Sequence, residues 1–139
     1  MRSAIDLVED LKKKYEGVIS FKRICECENI LVIKVKLGEG VNGFYATSNG
    51  HRVMVLNANL PHHERRDWAF HELYHHFRTA PGLGEHRTRR DEQNADTFAA
   101  LCRAPVVREG DSDESLMERY GVCRRLARIR IQIEQRRVG

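Results

Sequence analysis

His71-Glu72-Leu73-Tyr74-His75 places two imidazoles four residues apart with a carboxylate between them. On a helix, positions i and i+4 share a face, so both rings can bind one metal ion. Glu72 can take a proton from a water activated at that ion. This reading makes His71 and His75 metal ligands and Glu72 the general base of a hydrolytic centre. A catalytic zinc generally takes three protein ligands and one water, and the segment that follows offers the third. Glu92 and Asp96 lie one turn apart, with Ala95 and Ala99 on the same stripe. Small side chains there let two helices approach closely enough for a carboxylate to reach a metal on its neighbour. Glu92 is therefore expected as the third ligand. Asp96 is expected to accept a hydrogen bond from the far nitrogen of a ligating histidine, which fixes the tautomer. Asp91, one residue out of phase, is the alternative ligand. The competing view of the histidines is that they belong to a His-rich surface segment with His62, His63, His76 and His86.

The elements that must hold these groups can be read from periodicity. Ser3 is a helix cap ahead of about residues 4–16, with Ile5, Val8 and Leu11 on one stripe and Gly17 as the stop. Residues 18–24 and 30–37 are rich in β-branched side chains and predict strands. Two further strands, 43–47 and 52–56, flank Ser48-Asn49-Gly50-His51, a hairpin signal because Asn and Gly tolerate positive φ. After Pro61 the period becomes helical. Helices are expected over about 62–79, closed by Pro81-Gly82, then 89–103, 112–120 with Gly121 as the breaker, and 123–136. The fold class is α+β: an N-terminal helix, a small and mostly antiparallel sheet, then a helical half. The chain is expected to be a single domain over 1–139. Residues 1–60 give the helix and sheet, 61–105 the active-site helices and 106–139 a C-terminal helical pair.

With about 100° per residue on a helical wheel, His75 falls about 40° from His71 and Glu72 about 100°. Leu73, Phe70, Tyr74 and Phe77 gather on the other side. One face is thus expected to pack on a core while the other offers ligands.

Composition limits the alternatives. Apolar residues make up 41% and charged residues 32% of 139 positions, ordinary for a soluble domain. The charge, 24 Lys and Arg against 20 Asp and Glu, is only +4 and does not demand an acidic partner. No apolar run approaches the roughly 20 residues of a membrane span, and the first ten residues do not resemble a signal peptide. The expected location is the cytoplasm. Cys25, Cys27, Cys102 and Cys123 lack paired metal-knuckle spacing and are expected to be reduced, partly buried thiols.

The stretch from Arg65 to His76, which contains HELYHH, and the stretch from Glu92 to Pro105 together resemble the ImmA/IrrE-type metallopeptidases. Their pattern is roughly R-x-x-x-x-x-HELxHH followed by E-x-x-A-N-x-FAAxLLxP. The likeness runs in order over about residues 30–135. The second motif is the more specific, since it joins Glu92, Ala95, Phe98, Ala99, Ala100 and Pro105 at fixed offsets. Departures are Tyr74 for a small residue, Asp96 for asparagine, and Cys102-Arg103-Ala104 for a more apolar run. The resemblance implies a thermolysin-like zinc site, with manganese as the other ion such a donor set can host. It also implies a protein substrate, typically a helix-turn-helix repressor in a phage, mobile-element or stress-response circuit. A chain this short is expected to lack a separate sensor domain.

Two further expectations concern substrate. A second donor to the oxyanion is required, and Tyr45, His86 and Arg87 are the candidates. An extended peptide could pair with the strand near 52–56. The rival function is a non-hydrolytic metal-binding regulator, antitoxin-like or reading DNA through the Arg-rich segment around Gly121. Acidic residues interleaved with those arginines, and the core spacing of Leu126, Ile129 and Ile133, weigh against DNA.

Overall fold

Ser3 opens the first helix, α1 (Ala4–Lys14), its Oγ accepting from the Asp6 amide at 3.1 Å. That bond satisfies one of the amides a helix start leaves without a partner. Ala4, Leu7, Val8 and Leu11 are its buried stripe. The chain leaves the helix through Glu16 and Gly17, both at positive φ. The computed structural model describes residues 3–78 and 88–138.

The predicted strand over 18–24 is not formed. A helix, α2 (Phe21–Cys27), stands there, capped by Ser20, whose Oγ accepts from the Arg23 amide at 3.3 Å. The reason is local. Phe21, Ile24 and Cys25 recur at i, i+3 and i+4, and Ile24 and Cys25 are buried. A good cap and a short apolar stripe outweigh the β preference of Val18, Ile19 and Ile24, which is a weak and context-dependent term.

Three strands follow: β1 (Ile30–Val35), β2 (Gly43–Ser48) and β3 (His51–Asn57), ordered β1-β3-β2. The Asn49-Gly50 hairpin between β2 and β3 is present, with φ of 52° and 79° at its two central residues, as a tight two-residue turn requires. The sheet is mixed rather than mostly antiparallel. β1 pairs with β3 in parallel, Ile30 opposite Arg52. The chain passes β3's position to build the far edge and returns into the middle. The buried Asn57 carboxamide ties down that crossover: its Oδ1 accepts from Leu37 N at 3.0 Å and its Nδ2 donates to Val41 O at 2.7 Å. Met54, Leu56 and Tyr45 face inward and are buried, whereas Leu31, Ile33 and Phe44 alternate outward and stay exposed.

The remaining elements are α3 (His62–Arg78), α4 (Arg89–Arg103), α5 (Asp113–Tyr120) and α6 (Arg124–Val138). Their bounds match the periodicity closely. The expected Pro81-Gly82 closure lies outside the described residues. α4 is the central helix, packed on α1, α3 and α6. Ala95, Phe98, Ala99 and Ala100 have no exposed surface, so the small-residue stripe lets α3 and α4 come together. Tyr74 fills the core against Phe98, ring centroids 5.8 Å apart, which places this departure from the family pattern in packing. Burying each such large side chain contributes about 2–3 kcal/mol. Gly121 ends α5 at φ 68°. Leu126, Ala127 and Ile133 bury one face of α6. The order of one helix, a short second helix, a three-stranded sheet and a helical half is an α+β fold. Among the described residues no helix is long and apolar enough to cross a membrane.

Candidate active site

α3 carries His71 and His75 one turn apart, and α4 lies across them. Both imidazoles are buried, with 4% of their side-chain surface exposed, while Glu92 is 40% exposed. The face expected to offer ligands is thus covered by α4 and opens to solvent on the Glu92 side. Glu92 places one carboxylate oxygen 2.8 Å from His71 Nε2 and the other 3.0 Å from His75 Nε2. Donor atoms of the three residues all lie within 4.8 Å of one another.

His71 is held on two further sides. Its Nδ1 sits 2.9 Å from Asp96 Oδ1, so with a metal on Nε2 the ring proton would stay on Nδ1 and be donated to Asp96. The indole of Trp68 stacks on the ring, centroids 4.4 Å apart and planes 14° from parallel. Arg125, from α6, donates Nη1 to the second Asp96 oxygen at 2.6 Å. Asp96 therefore bridges a ligand candidate and a cation. Sequence reasoning assigned Asp96 its role but did not find Arg125, which lies 29 residues further on in a run of arginines with no local sign to single it out.

The donor set fits a divalent cation. It consists of two imidazole nitrogens and a carboxylate converging on one point. A tetrahedral site with bonds of about 2 Å spaces its ligand atoms by roughly 3.3 Å. The separations of 2.8 and 3.0 Å need only a slight opening. Glu72 is fully buried on α3 between the two histidines in sequence. Asp91 is committed elsewhere: its carboxylate accepts from the Thr88 amide at 3.0 Å in a capping box and stands 3.4 Å from Arg78. The Thr88 amide bond, ahead of the neighbouring charges, holds that carboxyl below its usual value.

Next to the site runs a second polar chain. Tyr45 Oη is 2.7 Å from His76 Nδ1, and His76 Nε2 is 2.9 Å from Glu28 Oε1. Burial pushes the His76 imidazole down, although Glu28 pulls it up. A neutral ring accepts from the tyrosine hydroxyl and donates to the glutamate. This chain ties β2, α3 and the α2–β1 junction together, and it commits the Tyr45 hydroxyl to His76 rather than to an oxyanion. His86 and Arg87, the other two candidates for that role, lie outside the described residues.

The C-terminal arginines are mostly engaged. Arg119 holds Asp111, Arg124 holds Glu114, Arg128 holds Asp113, and Arg130 is buried on the Ala104 and Pro105 carbonyls. That is the chemistry of a neutralised helical pair rather than of a phosphate-tracking face. The four cysteines are free thiols, as their spacing implied.

Residues 25–132 match the sequence model of one protein family, described as Peptidase_M78, the IrrE N-terminal-like domain. No curated protein and no solved structure matches the chain.

Proposed function

The chain belongs to the IrrE N-terminal-like (Peptidase_M78) family, and from that premise we propose that it is a zinc-dependent endopeptidase whose metal is held by His71, His75 and Glu92. Manganese is the alternative ion for this donor set. The observation that carries the reading is the convergence of Glu92 on both imidazoles of HELYH from a separate helix.

A metal held there would supply Lewis acidity to a peptide carbonyl and to a water, whose pKa would fall to about 7. Glu72 would accept the proton of the attacking water and return it to the leaving nitrogen. Asp96 and Trp68 fix the plane and tautomer of His71, and Arg125 keeps Asp96 oriented. The strand at 52–56, offered by the sequence as a peptide-pairing edge, is β3, and it is bonded on both sides. Among the described residues, the sheet edge next to α3 is that of β2 (Gly43–Ser48), which pairs with no second strand. An extended substrate pairs there, with the Glu92 side of the site open to it.

The substrate class follows from the resemblance. It is a protein, a helix-turn-helix repressor of a phage, mobile-element or stress-response circuit, met in the cytoplasm. The engaged C-terminal arginines make direct DNA reading the weaker alternative.

The test has two parts. Zinc-loaded, desalted protein is analysed for metal, and wild type and Glu72→Gln are each incubated with a lysate whose new protein N-termini are labelled and sequenced. About one zinc in both proteins, with new termini only for the wild type, supports the proposal. Metal without new termini from either protein would leave a binding protein, and equal cleavage by both would remove Glu72 as the base.

A further inference from the structure

On the side of α3 turned away from the ligand histidines lies a cavity of about 470 Å³. At about 100° per residue, Ala69, His62 and Arg66 sit some 160–220° round the helix from His71. The cavity is walled by α2, β1, β3 and α3, and it shares no lining residue with the metal-ligand set.

Its floor is apolar: Phe21, Ile30, Val32, Leu56, Ala69 and Phe70. Ile30, Leu56, Ala69 and Phe70 are each under a tenth exposed, so the space is recessed into the core and not a shallow surface dip. Phe21 and Phe70 close one end edge to face, 5.4 Å between centroids. The Cys25 thiol also lines it, and burial pushes that thiol up to about 12, so it stays neutral.

The rim has the opposite character. Lys22, Lys34, Arg65, Arg66 and His62 surround the mouth, with Glu26 the one acidic residue among the lining groups. The cations differ from the arginines of the C-terminal pair. Those hold carboxylates, whereas among the described residues Lys22, Lys34 and Arg66 take part in no ion pair. Their charges are felt at the mouth: after desolvation, Arg66 and Arg65 are the main causes that hold His62 below its ordinary value. Like charges gathered without partners around a low-dielectric recess focus a positive potential into it.

We propose that this cavity binds a small amphipathic anion, an aliphatic or aryl body carrying a carboxylate or phosphate, at a site separate from the metal centre. The volume suits a ligand of that size, since such pockets commonly span roughly 300–1,000 Å³ and combine an apolar lining with a few placed polar groups. The apolar body fills the floor beside the Phe21–Phe70 pair, and the anionic head meets Lys22, Lys34 and Arg66 at the mouth. The ligand would rest on α3, the helix that also carries His71 and His75. The site stands on its own lining and does not depend on peptidase activity.

The test uses the full chain, uniformly labelled with nitrogen-15, and follows amide shifts. Octanoate and octyl phosphate are the anionic probes, octylamine and octanamide the cationic and neutral controls. Saturable shifts at residues 21–34 and 62–70, with octanoate or octyl phosphate binding at least about tenfold tighter than octylamine, support the site. Which of the two anions binds tighter sets the head group. Lys34→Glu combined with Arg66→Glu, both at exposed positions, should weaken the anions at least tenfold and leave the remaining spectrum in place. Val32→Phe should block all four probes by filling the floor. Equal binding of amine and carboxylate would overturn the proposal. So would shifts confined to the outer sheet face around Leu31 and Phe44, or an unchanged affinity in the charge-reversed variant.

Discussion

The α3–α4 interface holds two buried polar clusters one helical turn apart. Around Asp67, donors and acceptors match. Its Oδ1 takes the Arg103 Nε proton at 2.7 Å, its Oδ2 takes the Cys123 amide at 2.9 Å, and Arg103 Nη2 donates to the Gly121 carbonyl at 3.3 Å. Around His71 the groups are of one kind. The Nε2 atoms of two imidazoles and a carboxylate converge, all of them atoms that can ligate a metal, and a second carboxylate lies against the outer nitrogen of His71. The first cluster is closed by its own cation and serves to pin the α5–α6 turn onto α3 and α4. The second is suited to hold a divalent cation. Burial and a carboxylate at the helix interface do not by themselves tell a structural pair from a metal centre; the sign balance of the converging groups does.

That contrast predicts unequal responses to losing an acid. Asp67→Ala leaves the Arg103 guanidinium buried without its partner, which costs about 3–5 kcal/mol. The denaturant midpoint should drop accordingly, and replacing Arg103 with Met in the same protein should restore part of it. Glu92→Ala should cost much less in metal-free protein, since the carboxylate it removes is 40% exposed and its loss leaves no buried permanent charge. Its stability without metal should stay within about 1 kcal/mol of the wild type.

Zinc then separates the two clusters. A ligand present at about 100 times its dissociation constant stabilises the folded state by about 2.7 kcal/mol. The wild type and Asp67→Ala should both gain that increment in thermal melts with added zinc, and chelator should remove it. Glu92→Ala should gain little. A full zinc increment in Glu92→Ala would move the third ligand elsewhere.

Asp96 sits between the two kinds of cluster, bonded to His71 on one oxygen and to Arg125 on the other. Asp96→Ala should weaken zinc binding about 10- to 100-fold, the range for a partner that orients a ligand. Asp96→Asn keeps an oxygen for His71 Nδ1 and loses only the charge toward Arg125, which is 61% exposed. Competition titrations with a chromogenic chelator should place it much nearer the wild type. Equal losses for Ala and Asn would show that the charge matters more than the hydrogen bond.

The same contrast explains what the sequence reveals. His71, Glu72 and His75 are legible because a helix fixes their spacing locally, and Glu92 and Asp96 because Ala95 and Ala99 mark the stripe that meets α3. Cap and breaker residues place α1, α3, α4, α5 and α6 within a few residues. Arg125 and the Asp67–Arg103 pair are not legible. Their partners are chosen by how α6 and α4 dock, and any of several arginines reads alike. The parallel seat of β1 beside β3 is hidden for a similar reason: the Asn-Gly turn fixes one neighbour of β3, and only the crossover held by Asn57 fixes the other. α2 is the opposite failure. Its Ser20 cap and i, i+3, i+4 stripe are present in the chain, but three β-branched residues in the same window favour the wrong element.

The smallest effect lies at Gly121, where the closed cluster meets the α5–α6 turn. Its φ of 68° is a left-handed conformation, and a Cβ placed there would overlap the His63 ring. His63 is exposed and at the start of α3, so the ring can swing aside. The backbone term remains. Gly121→Ala should therefore cost about 1 kcal/mol, near the lower end for an L-residue in this region. Gly121→Ala combined with His63→Ala should cost nearly as much, since the ring contact is relieved and the φ penalty is not. Full recovery in the double variant would instead make the contact with His63 the cause, and the turn's glycine would be there for space rather than for conformation. Zinc stoichiometry should be unchanged in either case, because the Gly121 carbonyl reaches the structural pair and not the histidines.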